Sequence, residues 1–168
     1  ATLNGNARQL SRVITMPSPD RQTHRHAFID AWAKAEADQP LGPVEAQIVE
    51  IARMHPEYAN YLTAGDETLD QDFLPEAGQT NPFLHMGLHI VILEQLSIDR
   101  PAGIRRLHQN LAAATGDVHE ADHRIMECLA KALWRLQHDR KPFNDKAYFK
   151  CIKRAGGGIR PRDRRALS

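Results

Sequence analysis

The stretch that most constrains the fold of this chain spans residues 116–127 and reads GDVHEADHRIME. Asp117 is a good helix N-cap, and Glu120, three residues later, would complete a capping box. At about 100° per residue, His119 and His123 share one face of the predicted helix, and apolar residues follow them at helical spacing. These are Met126, Leu129, Leu133, Trp134 and Leu136. The pattern predicts two histidines one turn apart on the core side of a long helix.

A second stretch repeats this design. Asn81 is a predicted N-cap, Pro82 suits the first helical position, and His85 and His89 lie one turn apart. Both histidines fall on the face that carries Leu88 and later apolar residues. The sequence therefore predicts two inward-facing His-x-x-x-His pairs on two helices.

Helical periodicity dominates the remaining chain, and no strand pattern or internal repeat occurs in the sequence. We expect an all-α, single-domain bundle of five to six helices over residues 20–155. Residues 1–19 are expected to form an extended or disordered arm, and residues 156–168 a basic flexible tail. The six predicted helices cover 20–38, 43–54, 82–98, 99–115, 118–138 and 145–154, and a short helical segment is predicted in addition after Pro56.

Composition excludes several classes of protein. The 168 residues are 42% hydrophobic and 26% charged, with a formal net charge of +1, which is typical of a globular protein without a global preference for polyanions. No apolar run approaches the ~20 residues of a membrane span, and the first residues lack the apolar stretch of a signal peptide. Cys128 and Cys151 form no Cys-x-x-Cys motif. We therefore expect a cytoplasmic protein with two buried free thiols.

The predicted topology brings the histidines together. If the short connections reverse the chain, the two His pairs lie at one end of the bundle, and His55 at the end of an earlier helix joins them. Imidazoles at this density are favourable ligands for a divalent transition metal, with iron or zinc the leading candidates. Glu127, one turn after His123, would ligate the ion or orient a ligand. The predicted metal site comprises His85, His89, His119 and His123, followed by His55 and Glu127.

Other interpretations stay open. The order His119-Glu120-x-x-His123 matches the zinc-protease helix motif, but Glu120 is already assigned to the capping box. A ferritin-like di-iron site requires more inward glutamates than the sequence offers. The alternative to a metal-binding protein is a non-catalytic interaction module, in which the histidines form a polar network and the basic tail binds an acidic partner or nucleic acid.

The order of these motifs resembles the proteobacterial family named domain of unknown function 1841. The resemblance covers residues 20–155 and implies that members begin near Met16, which would make residues 1–15 an extension. It supports the domain prediction and implies no activity and no catalytic residues. The segments that carry it are His55-Pro56-Glu57-Tyr58, Asn81 to His85 with His89 and Glu94-Gln95, Pro101 to Arg105, Gly116-Asp117 with His119, His123 and Glu127, and Leu133-Trp134.

Overall fold

The computed structural model describes residues 18–73 and 80–157, without the side chains of 18–20. In these ranges the chain is entirely helical, with seven α-helices, one of them short, and no strand. The helices are α1 Ser18–Glu36, α2 Pro43–Met54, α3 Ala59–Thr63, α4 Pro82–Ile98, α5 Ile104–Thr115, α6 Val118–His138 and α7 Asp145–Gly157. Two 3-10 turns, Pro56–Tyr58 and Gly65–Thr68, flank α3. The predicted all-α class is confirmed.

Two predictions concern the ends of the chain. The arm at 1–19 and the tail at 156–168 lie almost wholly outside the described residues, and both stay predictions. The described helices contain no segment long and apolar enough to cross a membrane.

The chain forms two compact units that divide inside α4, after Ile90. The first unit contains α1, α2, α3 and the first half of α4. Its largest fully buried side chains include Phe28, Ile51, Phe83 and Met86. Helix α1 packs against both α2 and α3, and the apolar side chains between these helices form the core of the first unit.

The second unit begins at Val91. Helices α5, α6 and α7 pack against one another in each of the three possible pairs. Their shared core is built from side chains that are almost completely buried, namely Ile104, Ile125, Leu129, Leu133, Tyr148 and Ile152. Trp134 was expected among them, but its side chain is 57% exposed. It lies one position after Leu133, which turns it by about 100° away from the core.

The predicted N-caps of α4 and α6 are both confirmed, whereas the capping box predicted at α6 does not form. The Asn81 side chain accepts hydrogen bonds from the backbone N–H groups of Phe83 and Leu84, both at 3.1 Å, as predicted. At α6, the Asp117 side chain accepts from His119 N–H at 2.8 Å. The predicted capping box is nevertheless wrong.

Glu120 does not complete the box because both groups have other partners. The backbone N–H of Asp117 donates to the Thr115 hydroxyl at 3.3 Å, and Glu120 Oε1 accepts from Arg124 Nε at 2.9 Å. An arginine four residues away is well placed for such a pair on a helix. Gly116 ends α5 with φ 77°, a left-handed conformation that glycine adopts without strain.

A buried arginine holds the segment after α3. Arg25 is 2% exposed, and its Nη1 donates to the backbone carbonyls of Thr68, Leu69 and Gln71 at 2.8–2.9 Å. Its guanidinium also lies 5.1 Å from the ring centroid of Phe83. Burial lowers the pKa of Arg25 from its ordinary value. This side chain fixes a segment that contains little regular structure.

The prediction of free thiols is wrong. Cys128 on α6 and Cys151 on α7 form a disulfide, with Cα atoms 5.8 Å apart. The two cysteines are 23 positions apart in sequence, and only the packing of α6 against α7 places them at a bonding distance. The described residues contain no free cysteine.

Candidate metal centre

His55 is placed by the break between α2 and the following 3-10 turn. Its backbone has φ −124° and ψ 69°, outside the helical region, as expected for a residue before proline. The side chain is turned inward and the residue is only 4% exposed. A local rule of backbone sterics thus sets the end of α2 and gives the imidazole a buried position.

Three imidazoles of the first unit converge by their Nε2 atoms. His55 Nε2 lies 3.0 Å from His89 Nε2 and 3.3 Å from His85 Nε2. Each of the three residues offers a ligand nitrogen, and these nitrogens all lie within 4.8 Å of one another. His89 is 2% exposed, whereas His85 is half-buried. We call these three residues the His55–His85–His89 cluster.

These separations fit coordination of one ion. Ligand nitrogens at 2.0–2.1 Å from a tetrahedral zinc are about 3.3 Å apart. The two observed Nε2–Nε2 distances of 3.0 and 3.3 Å lie close to that spacing. Hydrogen bonds between the rings explain these contacts less completely than a shared ion does. Each Nε2 of a neutral imidazole either donates or accepts one hydrogen bond, and His55 Nε2 faces two other Nε2 atoms.

Glu57 fixes the proton position on His55. The Nδ1–H of His55 donates to Glu57 Oε1 at 2.8 Å. Since an ionised carboxylate only accepts, the proton must reside on Nδ1, and in the neutral ring Nε2 keeps its lone pair. The same hydrogen bond lowers the pKa of Glu57 from its ordinary value. A carboxylate that orients a histidine in this way is typical of metal sites.

An aromatic residue walls the cluster. Tyr58 stacks on His55 with ring centroids 5.1 Å apart and contacts His85 edge-on at 5.5 Å. Burial raises the pKa of Tyr58 to about 12, so it is a neutral phenol near pH 7. Tyr58 therefore shields the imidazoles from water without adding a charge.

His24 on α1 also belongs to the first unit. Its ring lies edge-on to Phe28 at 5.0 Å, and its Nε2 is buried without a hydrogen-bond partner among the described residues. The ring also lies against Gly87 of α4, where a Cβ would be 3.7 Å from His24 Nε2, an ordinary van der Waals distance. Burial, followed by repulsion from Arg25, lowers the pKa of His24. This imidazole packs as a neutral group.

The second predicted pair lies on α6 in the second unit. His119 and His123 have ring centroids 4.1 Å apart, so the structure brings these two residues together as predicted. Both are half-buried. Participation of this pair in one ion with His85 and His89 stays a prediction.

Glu127 and Glu120 lie on the outer side of α6. Glu127 is exposed and lines a surface cavity with Arg124 and Lys131. Among the described residues it belongs to no group of clustered ligand atoms. Glu120 pairs with Arg124, and this pairing disfavours the general-base role that a zinc-protease motif requires.

Sequence reasoning missed a second acid–histidine contact. His108 Nε2 and Asp122 Oδ1 lie 2.7 Å apart, and their side chains are 13% and 10% exposed. Asp122 also offers an oxygen within 4.8 Å of a ligand nitrogen of His119. The available signal was an acidic residue, Asp122, on the predicted core side of α6.

Comparison with known proteins identifies one matching family model. It is described as a domain of unknown function, DUF1841, and it matches residues 20–154. No curated protein and no solved structure matches the chain.

Proposed function

Because the chain belongs to the DUF1841 family, whose description assigns no activity, we propose a function from its own geometry: it binds a divalent transition metal ion. The observation that carries this proposal is the convergence of three Nε2 atoms in the His55–His85–His89 cluster, with separations of 3.0 and 3.3 Å. Imidazole nitrogens suit zinc, iron, copper and nickel, and zinc or iron are the first candidates.

The burial of the cluster supports the same proposal. His55 and His89 are 4% and 2% exposed, and several charged imidazoles in such a place would be costly. A bound cation satisfies the lone pairs directly and favours neutral rings. Glu57 already supplies the orientation of one ligand.

The coordination number decides what the ion does. The proposal includes His119 and His123, predicted from the sequence, as further ligands. With a fourth protein nitrogen the site is closed and structural, whereas three protein ligands leave a position for water or substrate. The non-catalytic alternative, a polar histidine network without metal, makes no demand for a stoichiometric ion.

Elemental analysis of protein purified without an affinity tag tests the proposal. We expect about one zinc or iron per chain, because the His55–His85–His89 cluster supplies nitrogens for one ion. His55→Gln and His89→Gln should each reduce this content to below about a tenth, because each removes one of the three converging nitrogens of the cluster. Loss of metal on His123→Gln or His119→Gln would add that residue to the coordination sphere.

His26→Gln and His138→Gln are the matched controls, since both residues are half-buried or exposed and lie outside the cluster. They should retain the full metal content. Metal affinity should also fall as pH decreases through the histidine range, because protons compete for the same nitrogens. Protein that contains no stoichiometric metal, and takes up none when zinc or iron is added, would refute the proposal.

A further inference from the structure

The second unit carries an open groove between α6 and α7. One cavity of about 740 Å³ lies at the C-terminal end of α6, and a second lies beside it. Both are lined by the disulfide partners Cys128 and Cys151 together with Lys131, Arg135 and Ala147, so they are continuous. We call this surface the α6–α7 groove. None of the histidines of the proposed metal site lines this groove.

Basic side chains dominate the groove. Lys131, Arg135, Lys141 and Lys146 line the first cavity. Arg124, Lys150 and Arg154 extend the series along the second. Against these seven cations the two cavities contain three carboxylates, an excess of four positive charges. The whole chain has a net charge of only +1, so this excess is local.

Most of these cations have no carboxylate partner in the described part of the chain. Arg124 pairs with Glu120 and also donates to the Ala155 carbonyl at 2.9 Å. Lys131, Arg135 and Lys150 are exposed and form no ion pair within the described ranges. The outer side of α7 continues the pattern, with Lys153 beside Phe149. Such a surface attracts an extended polyanion.

An exposed indole stands beside the cations. Trp134 follows Lys131 by three residues, so the two side chains are neighbours on the surface of α6. The indole stacks on His138 with ring centroids 4.1 Å apart and remains 57% exposed. A nucleobase can stack on such a ring. The carboxylates of an acidic peptide would bind the cations without using the indole.

We propose that the α6–α7 groove binds single-stranded nucleic acid, with its lysines and arginines contacting phosphates and Trp134 stacking on a base. The stretch of α6 from Arg124 to His138 spans about 21 Å at 1.5 Å per residue. At about 3.4 Å per stacked nucleotide, the groove accommodates about six nucleotides. The site is on the helical domain and does not depend on the basic tail or on a bound metal.

Fluorescence anisotropy of the full chain with a labelled single-stranded DNA of about 12 nucleotides and mixed sequence tests this site. The double variant Lys131→Glu/Arg135→Glu should weaken binding at least about tenfold at 100 mM salt, because two phosphate contacts become repulsive. The slope of the logarithm of the association constant against the logarithm of the salt concentration should become shallower by about 1.4. Each phosphate contact contributes about 0.7 to this slope for single strands, and the variant loses two contacts.

Arg53→Glu/Arg106→Glu is the matched control. It changes net charge by the same amount at two exposed arginines that line neither cavity. The affinity of this control for the DNA should stay within about threefold of wild type, because exposed charges distant from the site are screened by salt. Both double variants keep the basic tail, so a difference between them cannot come from the tail. Equal weakening by the two double variants would overturn the proposal. Should the glutamate variant fail to fold by circular dichroism, Lys131→Gln/Arg135→Gln takes its place.

Trp134 and a competitor separate a nucleic acid from an acidic peptide. Trp134→Ala should weaken binding about fivefold or more, whereas Trp134→Phe should retain most of it, because stacking needs an aromatic face. Polyglutamate of equal charge should compete poorly. Equal competition by polyglutamate, with no effect of Trp134→Ala, would overturn the nucleic-acid proposal in favour of an acidic peptide.

Discussion

The two units of this chain organise their polar groups in opposite ways. The first gathers three imidazoles and orients one of them, His55, with a hydrogen bond to Glu57. The second joins two helices covalently through Cys128 and Cys151 and keeps its cations on the surface. The first unit should therefore respond to metals and protons, and the second to reductants. Three predictions test whether these responses are separate.

The largest expected effect is on the second unit. Reduction of the disulfide, or the double variant Cys128→Ala/Cys151→Ala, should lower the free energy of unfolding by about 3 kcal/mol, because the closed loop restricts the unfolded chain. Chemical denaturation with and without reductant measures this loss, and metal content should not change.

The alanine double variant is also the control for the reductant, since its stability should be the same with and without it. Two reactive thiols in native, unreduced protein, together with identical denaturation curves for wild type under both conditions, would contradict the disulfide. They would restore the interpretation of the cysteines as free thiols.

A smaller effect should be confined to the first unit. Glu57→Gln should reduce metal affinity by about 10–100-fold, because a neutral amide holds the Nδ1–H of His55 less strongly than a carboxylate does. Competition with a chelator measures the affinity. Glu50→Gln, at an exposed glutamate of α2, should leave it unchanged. Equal affinities for Glu57→Gln and wild type would remove Glu57 from the site.

The smallest effect distinguishes the units by pH. Asp99 accepts hydrogen bonds from the backbone N–H of Arg105 at 3.0 Å and of Gly103 at 3.3 Å, and these lower its pKa from the ordinary 3.8. Its stabilisation is complete above that ordinary value and is lost as pH falls through the lowered pKa. Histidine-linked metal loss should occur at higher pH.

The free energy of unfolding of Asp99→Asn should therefore decrease less than that of wild type as the pH is lowered from 5 toward 2. Urea denaturation of metal-free protein at each pH measures this difference. Glu94→Gln, at an exposed carboxylate of the same region, should lose as much as wild type. A steeper acid dependence for Asp99→Asn than for wild type would show that the carboxylate does not stabilise the fold when ionised.

Local rules made most of the fold predictable. Helices α2, α4 and α6 have the bounds that periodicity and end signals predicted, because proline, asparagine and glycine act through backbone geometry within a few residues. Helix α5 begins at Ile104 rather than near Asp99. Asp99 precedes the helix, and its carboxylate accepts a hydrogen bond from the backbone N–H of Arg105 in the first turn. Contacts between distant segments, such as Cys128 with Cys151, follow from packing and leave no local signal.

The candidate site was predictable to a similar extent. Histidines four residues apart on a predicted helix share a face, so the proximity of His119 to His123 follows from helix geometry. The approach of His55 to His85 and His89 required tertiary packing in addition. The orienting role of Glu57 was not predicted, because nothing in a pattern of apolar residues indicates which carboxylate meets an imidazole nitrogen.

The buried Arg25 has a consequence for how sequences of this fold can diverge. Its hydrogen bonds end on the main-chain carbonyls at 68, 69 and 71, and every amino acid carries such a carbonyl. The arginine therefore does not discriminate among side chains in the segment that it holds. Position 25, in contrast, is constrained to a planar cation with several donors. The hydrogen bonds of Arg25 should therefore constrain position 25 itself, whereas the side chains of Thr68 and Leu69 are constrained separately by their burial.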